Sequence, residues 1–183
     1  MLKEESDFLK TKIKPRVRVV LMALFSLFCV STLADVNPAD DLLPIGAMAP
    51  DFTLQQKGGG KVRLSSLVKA NKVLLLNFWT IGCSPCLAEL PKFEALQKRL
   101  HKQGFDALAV DTLDSPADAI HLWNRKHFTM RMALDGEQVA LEKYQVTAMP
   151  ATYLIGHNGK ILAHYVGYEA ADINRVLAKA GIK

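Results

Sequence analysis

The sequence predicts an α/β domain in which a central mixed sheet carries helices on both faces and an N-terminal β-hairpin extends it. Three observations carry this reading. Two apolar runs, VLLLNF (73–78) and FDALAV (105–110), suit central strands covered on both sides. A segment of helical character follows each of them. Near the end, ATYLIG (151–156) and KILAHYVG (160–167) flank His157-Asn158-Gly159, and Asn-Gly between apolar runs signals a hairpin. The order β-α-β-α, then a hairpin, then a helix, requires a mixed sheet.

The chain has 183 residues and a formal net charge of +5. Residues 1–34 account for much of that charge, with six Lys/Arg against three Asp/Glu. Lys10, Lys12, Lys14, Arg16 and Arg18 precede the uncharged run VVLMALFSLFCV (19–30), and STLADV follows with Thr32 and Ala34 at small-residue positions. A basic region, a short apolar run and a small-residue end are the parts of a secretory signal. Residues 1–34 are therefore expected to be a signal peptide or, if uncleaved, a membrane anchor through 19–34. Phe28 before Cys29 fits poorly with a lipoprotein site. The rest of the chain is nearly neutral, which excludes an electrostatic footprint for nucleic acid.

Residues 35–43 are polar and hold proline, so they read as a linker, with the domain spanning 44–183. DFTLQQ (51–56) and KVRL (61–64) flank three glycines and form the expected hairpin. Lys61 after those glycines is not backed by Ser or Thr and a helix, so a phosphate cradle is unsupported. Ser65 is expected to cap a short helix, SSLVKA. A helix is expected over 85–101, with Leu87, Leu90, Phe93, Leu96 and Leu100 on one face and a bend at Pro91. Ser115-Pro116 opens another helix to about 126, since Ser caps well and Pro suits the first helical position. A final amphipathic helix covers 170–180 and ends at Gly181.

The chemistry centres on NFWTIGCSPCLAELP. Cys83 follows a buried strand and a short loop, and Cys86 falls in the first turn of the next helix. Unpaired N–H groups and the helix dipole favour negative charge there. A thiolate at Cys83 is thus favoured, and the thiolate is the attacking species in disulfide exchange. Cys86, one turn in, is near enough to attack a mixed disulfide on Cys83. Pro85 restrains the loop at no cost in helical hydrogen bonds. A structural zinc site would need two further ligands, and the five histidines form no ligand-spaced cluster. A structural disulfide here would close a very small loop and add little stability. No metal and no cofactor is expected.

The segment resembles the active site of the exported thioredoxin-like family, which includes TlpA- and ResA-like thiol-disulfide oxidoreductases and cytochrome c biogenesis thioredoxins. APDFTL, NFWTIGCSPCLAELP, MPATYLIGHNGKI and the closing YVG agree in order over about 44–181. The resemblance implies a thioredoxin-like fold, with Cys83 as the attacking cysteine and Cys86 as the resolving one. It makes Pro150 a cis-proline facing them and exposes the Met149 backbone to an incoming peptide strand. It implies a proton-handling carboxylate at Glu89, against which stands a solvated Glu at a helix N-terminus. Asn77, which cannot take up a proton, favours the first role for Glu89. Trp79, Ser84, Pro85 and Met149 are the implied substrate-binding positions, with Trp79 equally suited to the core. Gly82, where Trp is common, and Thr147-Ala148-Met149 depart from the usual form.

The implied function is reduction of protein disulfides in the periplasm or at the outer face of the inner membrane, with apocytochrome c a type of target. The partners would be a disulfide-bonded protein and a membrane thiol-transfer protein that supplies electrons. An oxidase on the same fold is the nearest alternative, but Ser84-Pro85 lacks the histidine that stabilises a thiolate in strong oxidants. A thiol peroxidase would need P-x-x-x-T-x-x-C, which is absent, and a binding module would normally lack one or both cysteines.

Overall fold

The computed structural model describes residues 37–183, so the expected signal peptide or anchor, with Cys29, lies outside the described residues. Seven strands form one sheet in the order β2-β1-β5-β4-β3-β6-β7. Its centre is β3 (Val73–Trp79), every residue of which is buried. This strand runs parallel to β4 (Phe105–Asp111) and antiparallel to β6 (Ala151–Gly156). Outside β6 lies β7 (Ile161–Val166), joined to it by the expected turn, where Gly159 takes φ +81°. The hairpin of β1 (Thr53–Gln56) and β2 (Lys61–Arg63) pairs through β1 with β5 (Arg131–Leu134), so it extends the sheet edge.

Side chains of β3 alternate between two cores, as the pleat requires. Val73, Leu75 and Trp79 pack with α2 (Ser84–Leu100), α3 (Pro116–Arg125) and α5 (Ala170–Lys179). Leu74, Leu76 and Phe78 face α1 (Leu64–Ala70), α4 (Val139–Lys143) and the aromatic group of Phe52, Tyr144 and Tyr153. Helices thus cover both faces, as expected. Among the described residues no helix is long and apolar enough to cross a membrane. Pro91 sits inside α2, which remains one helix across it.

Several local expectations need correction. The stretch read as a linker is packed onto the domain from Asn37 onward. Asn37 caps a 3-10 turn at Pro38–Asp41, Leu42 is buried, and the Leu43 N–H donates to Tyr153 Oη. Leu42 supplies an apolar anchor that the surrounding polar residues obscure. Ser65 is not the cap of α1, which starts at Leu64. The Asp51 carboxylate accepts the Ser65 N–H and hydroxyl, both at 2.9 Å, and Arg63 Nε at 2.7 Å. Two elements were not expected, β5 and α4. With four and five residues, they are too short to establish a period.

Ser115 is the cap of α3 as expected, its Oγ accepting the Asp118 N–H at 3.2 Å. Ser115→Ala should therefore lower stability by about 1 kcal/mol. Urea unfolding should show a lower midpoint with an unchanged slope, and an unchanged midpoint would contradict the role of the cap.

Candidate active site

The two cysteines sit where β3 hands over to α2. Cys83 is the N-cap residue of α2, and its sulfur accepts the Cys86 N–H at 3.2 Å. The sulfurs are joined, with S–S 2.03 Å. Burial distinguishes the two. Cys86 is fully buried, whereas Cys83 is half-buried beside exposed Gly82, Ser84 and Pro85. An incoming disulfide can therefore reach Cys83 and not Cys86.

Across from the cysteines, the Met149–Pro150 peptide bond is cis. Register explains the placement. Ala151 pairs with Phe78, so Pro150 lies level with the end of β3, where the cysteine loop begins. Met149 is half-buried, and among the described residues its backbone N–H and C=O make no hydrogen bond. An extended peptide could pair there. Met149, Ser84 and Pro85 are thus open to solvent.

Trp79 is not. Its side chain is fully buried and packs on Trp123, the ring centroids 5.6 Å apart. The last position of β3 points into the core beneath α2 and α3, so the ring belongs to the hydrophobic interior.

Glu89 is one turn beyond Cys86 on α2 and only 2% exposed, which excludes the solvated role. Asn77 Nδ2 donates to Glu89 Oε1 at 2.6 Å and to Thr152 Oγ1 at 3.0 Å. Glu89 Oε2 has no partner among the described residues. Burial pushes the carboxyl up to about 7, although the Asn77 bond and the Lys92 charge oppose the rise. Near neutral pH such a group can both accept and release a proton. Asn77 and Glu89, twelve positions apart in sequence, are brought together because β3 and α2 share one core.

A pair of acids near the cysteine loop was not anticipated. Asp111 ends β4, is 2% exposed, and accepts the Asp114 N–H at 3.3 Å. Its carboxyl is pushed up to about 8 by burial, then by the hydrogen bond and charge of Asp114. Asp114 Oδ2 accepts the Thr80 hydroxyl at 2.9 Å and the Ile81 N–H at 2.6 Å. The available signal was an acid closing a buried apolar strand, with a second acid three residues on.

Residues 45–164 match the model of the AhpC/TSA family. The chain belongs to the AhpC/TSA family. It is similar to the thiol-disulfide oxidoreductase ResA of Geobacillus thermodenitrificans strain NG80-2. The two are 30% identical over 143 residues, covering 78% of this chain and 81% of the relative. The fold is similar to the crystal structure of a DsbE thiol:disulfide interchange protein from Chlorobium tepidum, with TM-score 0.69 and 32% identity. That match covers 75% of this chain and 98% of the other. It is also similar to the pneumococcal exposed lipoprotein thioredoxin of Streptococcus pneumoniae strain TIGR4, with TM-score 0.62 and 27% identity. There the coverage is 71% of this chain and 99% of the other. This member of the family is a thiol-disulfide oxidoreductase of thioredoxin-like fold.

Proposed function

We propose that the chain reduces protein disulfides outside the cytoplasm, with disulfide-bonded apocytochrome c as a type of substrate. The observation that carries this reading is the buried Glu89, held by Asn77 one turn from the buried Cys86. In the reduced state the Cys83 thiolate attacks a substrate disulfide. One sulfur–sulfur bond breaks, a mixed disulfide forms, and the first substrate thiolate leaves and takes a proton. Cys86 must then lose its proton where water is scarce. Glu89 accepts it, and the Cys86 thiolate attacks Cys83. The second substrate thiolate leaves, and the Cys83–Cys86 disulfide is formed. Met149 holds the substrate chain beside Pro150.

Direction follows from electrostatics. An oxidant is driven by stabilisation of its reduced thiolate, and Ser84-Pro85 provides no cation for that. A carboxylate near the thiols disfavours a second negative charge. The basic and apolar residues 1–34 support delivery across the membrane, with cleavage or retention as an anchor through 19–34. Likeness to an exposed lipoprotein thioredoxin agrees with that location. In an oxidising compartment the dithiol must be regenerated from the cytoplasm, so a membrane thiol-transfer protein is the proposed donor.

The test pairs a potential with a location. Equilibrated with glutathione buffers, the Cys83–Cys86 couple should lie nearer ~−270 mV than ~−120 mV, the values of a reducing and a strongly oxidising member of this fold. In intact cells, a maleimide that does not cross the inner membrane should label reduced Cys83. A potential near the oxidising value, or labelling only after lysis, would overturn the corresponding half of the proposal.

A further inference from the structure

Cys83 closes a turn that begins at Thr80, since its N–H donates to the Thr80 carbonyl at 3.2 Å. That turn is tied to the segment after β4. The Thr112 N–H donates to the Trp79 carbonyl at 3.3 Å. The Thr112 hydroxyl lies 3.4 Å from the same carbonyl and 3.6 Å from Met149 Sδ. One residue pair further along, Asp114 takes the hydroxyl of Thr80 and the N–H of Ile81 on a single oxygen. The first two residues of the turn therefore hang from one carboxylate, and the last residue of the turn is the nucleophile.

We propose that Asp114, backed by Asp111, is a positioning residue for thiol-disulfide exchange, fixing the Thr80–Cys83 turn so that the Cys83 sulfur meets the incoming disulfide in line. Asp114 touches neither sulfur and acts through Thr80 and Ile81. Hydrogen bonds to a charged acceptor are about twice as strong as neutral ones, so one half-buried carboxylate can hold an otherwise short, Gly82-containing loop. Burial, and then the neighbouring Asp114, favour the protonated form of Asp111. With Asp111 neutral, no like charge from it opposes the Asp114 oxygen that holds the two loop donors. When Asp111 ionises, like charges face each other and the clamp weakens.

Other acids on the neighbouring elements are engaged elsewhere. Asp118 at the head of α3 is bonded to Ser115. Asp135 after β5 accepts the N–H groups of Ala140 and Leu141. Glu89 on α2 is bonded to Asn77. Asp114 is the charged group acting on Asp111.

The test uses the reduced full chain and a small disulfide, Ellman's reagent, with the rate followed from pH 6 to 9. Asp114→Ala and Asp114→Asn both remove the charge, so their difference reads the hydrogen bonds alone. Asp114→Ala should slow the pH-independent limiting rate about 10-fold, because a loosened nucleophile is seldom in line. Asp114→Asn keeps an oxygen for Thr80 and Ile81 and should stay within about 3-fold of the wild type. It should also lose the inflection near pH 8 that Asp111 imposes. Thr80→Val removes one of the two donors without touching the acid pair and should slow the rate about 3-fold, which keeps the proposal testable if Asp114→Ala misfolds. A merely structural Asp114 would lower the melting temperature while leaving limiting rates and pH profiles unchanged. Wild-type limiting rates in Asp114→Ala, or in Thr80→Val should the former misfold, would overturn the proposal. A small disulfide reports on neither substrate nor direction, so failure here leaves the proposed function standing.

Discussion

Cys86→Ser is expected to accumulate a mixed disulfide with substrate through Cys83, whereas Cys83→Ser should trap almost nothing. The asymmetry follows from burial, because Cys86 has no exposed surface and Cys83 does. It follows also from backbone geometry. Cys83 Sγ faces the open first turn of α2, where it accepts the Cys86 N–H. A thiolate in that position keeps this bond and gains from the helix dipole. Without Cys86, attack still proceeds, but the second displacement has no internal thiol. Without Cys83, the remaining thiol is shielded by protein. Turnover should fall by on the order of 10³-fold or more in either variant, since residues that act as a unit are each indispensable. Non-reducing gels of variants expressed in cells, followed by identification of the trapped chains, separate the two roles. Equal trapping by both variants would contradict the assignment.

The sheet, the cysteine loop and the hairpin were legible because each is written in contiguous residues. VLLLNF could hardly be anything but a central strand, and Cys-Ser-Pro-Cys at its end announces its own chemistry. β5 was not legible, because Arg131–Leu134 is half exposed, opens with a charge, and owes its strand to the two neighbours that sandwich it. Trp79 illustrates a different difficulty. A tryptophan four positions before a reactive cysteine fits both a binding surface and a core, and only the face of β3 it occupies decides. Asp111 and Asp114 offered only a faint sign, an acid closing a buried apolar strand, for a third reason. Their importance lies in whom they hold, and Thr80 and Ile81 are more than thirty positions away. Glu89 stood between these cases, placed on the correct helix face by spacing but left ambiguous until its burial was known.

Glu89→Gln is expected to change three measurements in directions that a solvent-facing acid would not produce. The first is stability of the oxidised protein. The folded carboxyl titrates at about 7 against an ordinary 4.5, so the folded state holds the proton more tightly than the unfolded chain. Stability is therefore lost as pH rises from about 4.5 to about 7. Glutamine keeps the oxygen that accepts the Asn77 bond and never ionises. The variant should gain roughly 2–3 kcal/mol at pH 8 and little at pH 5. The second is thiol acidity. Removing a buried negative charge near the thiols should lower their apparent pKa by about one unit, read as a shift in the pH profile of alkylation. For coupled groups such a shift belongs to the set rather than to one residue. The third is rate. Glutamine cannot take the Cys86 proton, so reduction of a protein disulfide at pH 7 should slow by about 10²-fold even though more thiolate is present. More thiolate with slower turnover is the decisive combination. A lower thiol pKa accompanied by faster turnover would leave Glu89 an electrostatic brake with no part in proton transfer, and an unchanged pH profile would remove it from the site altogether.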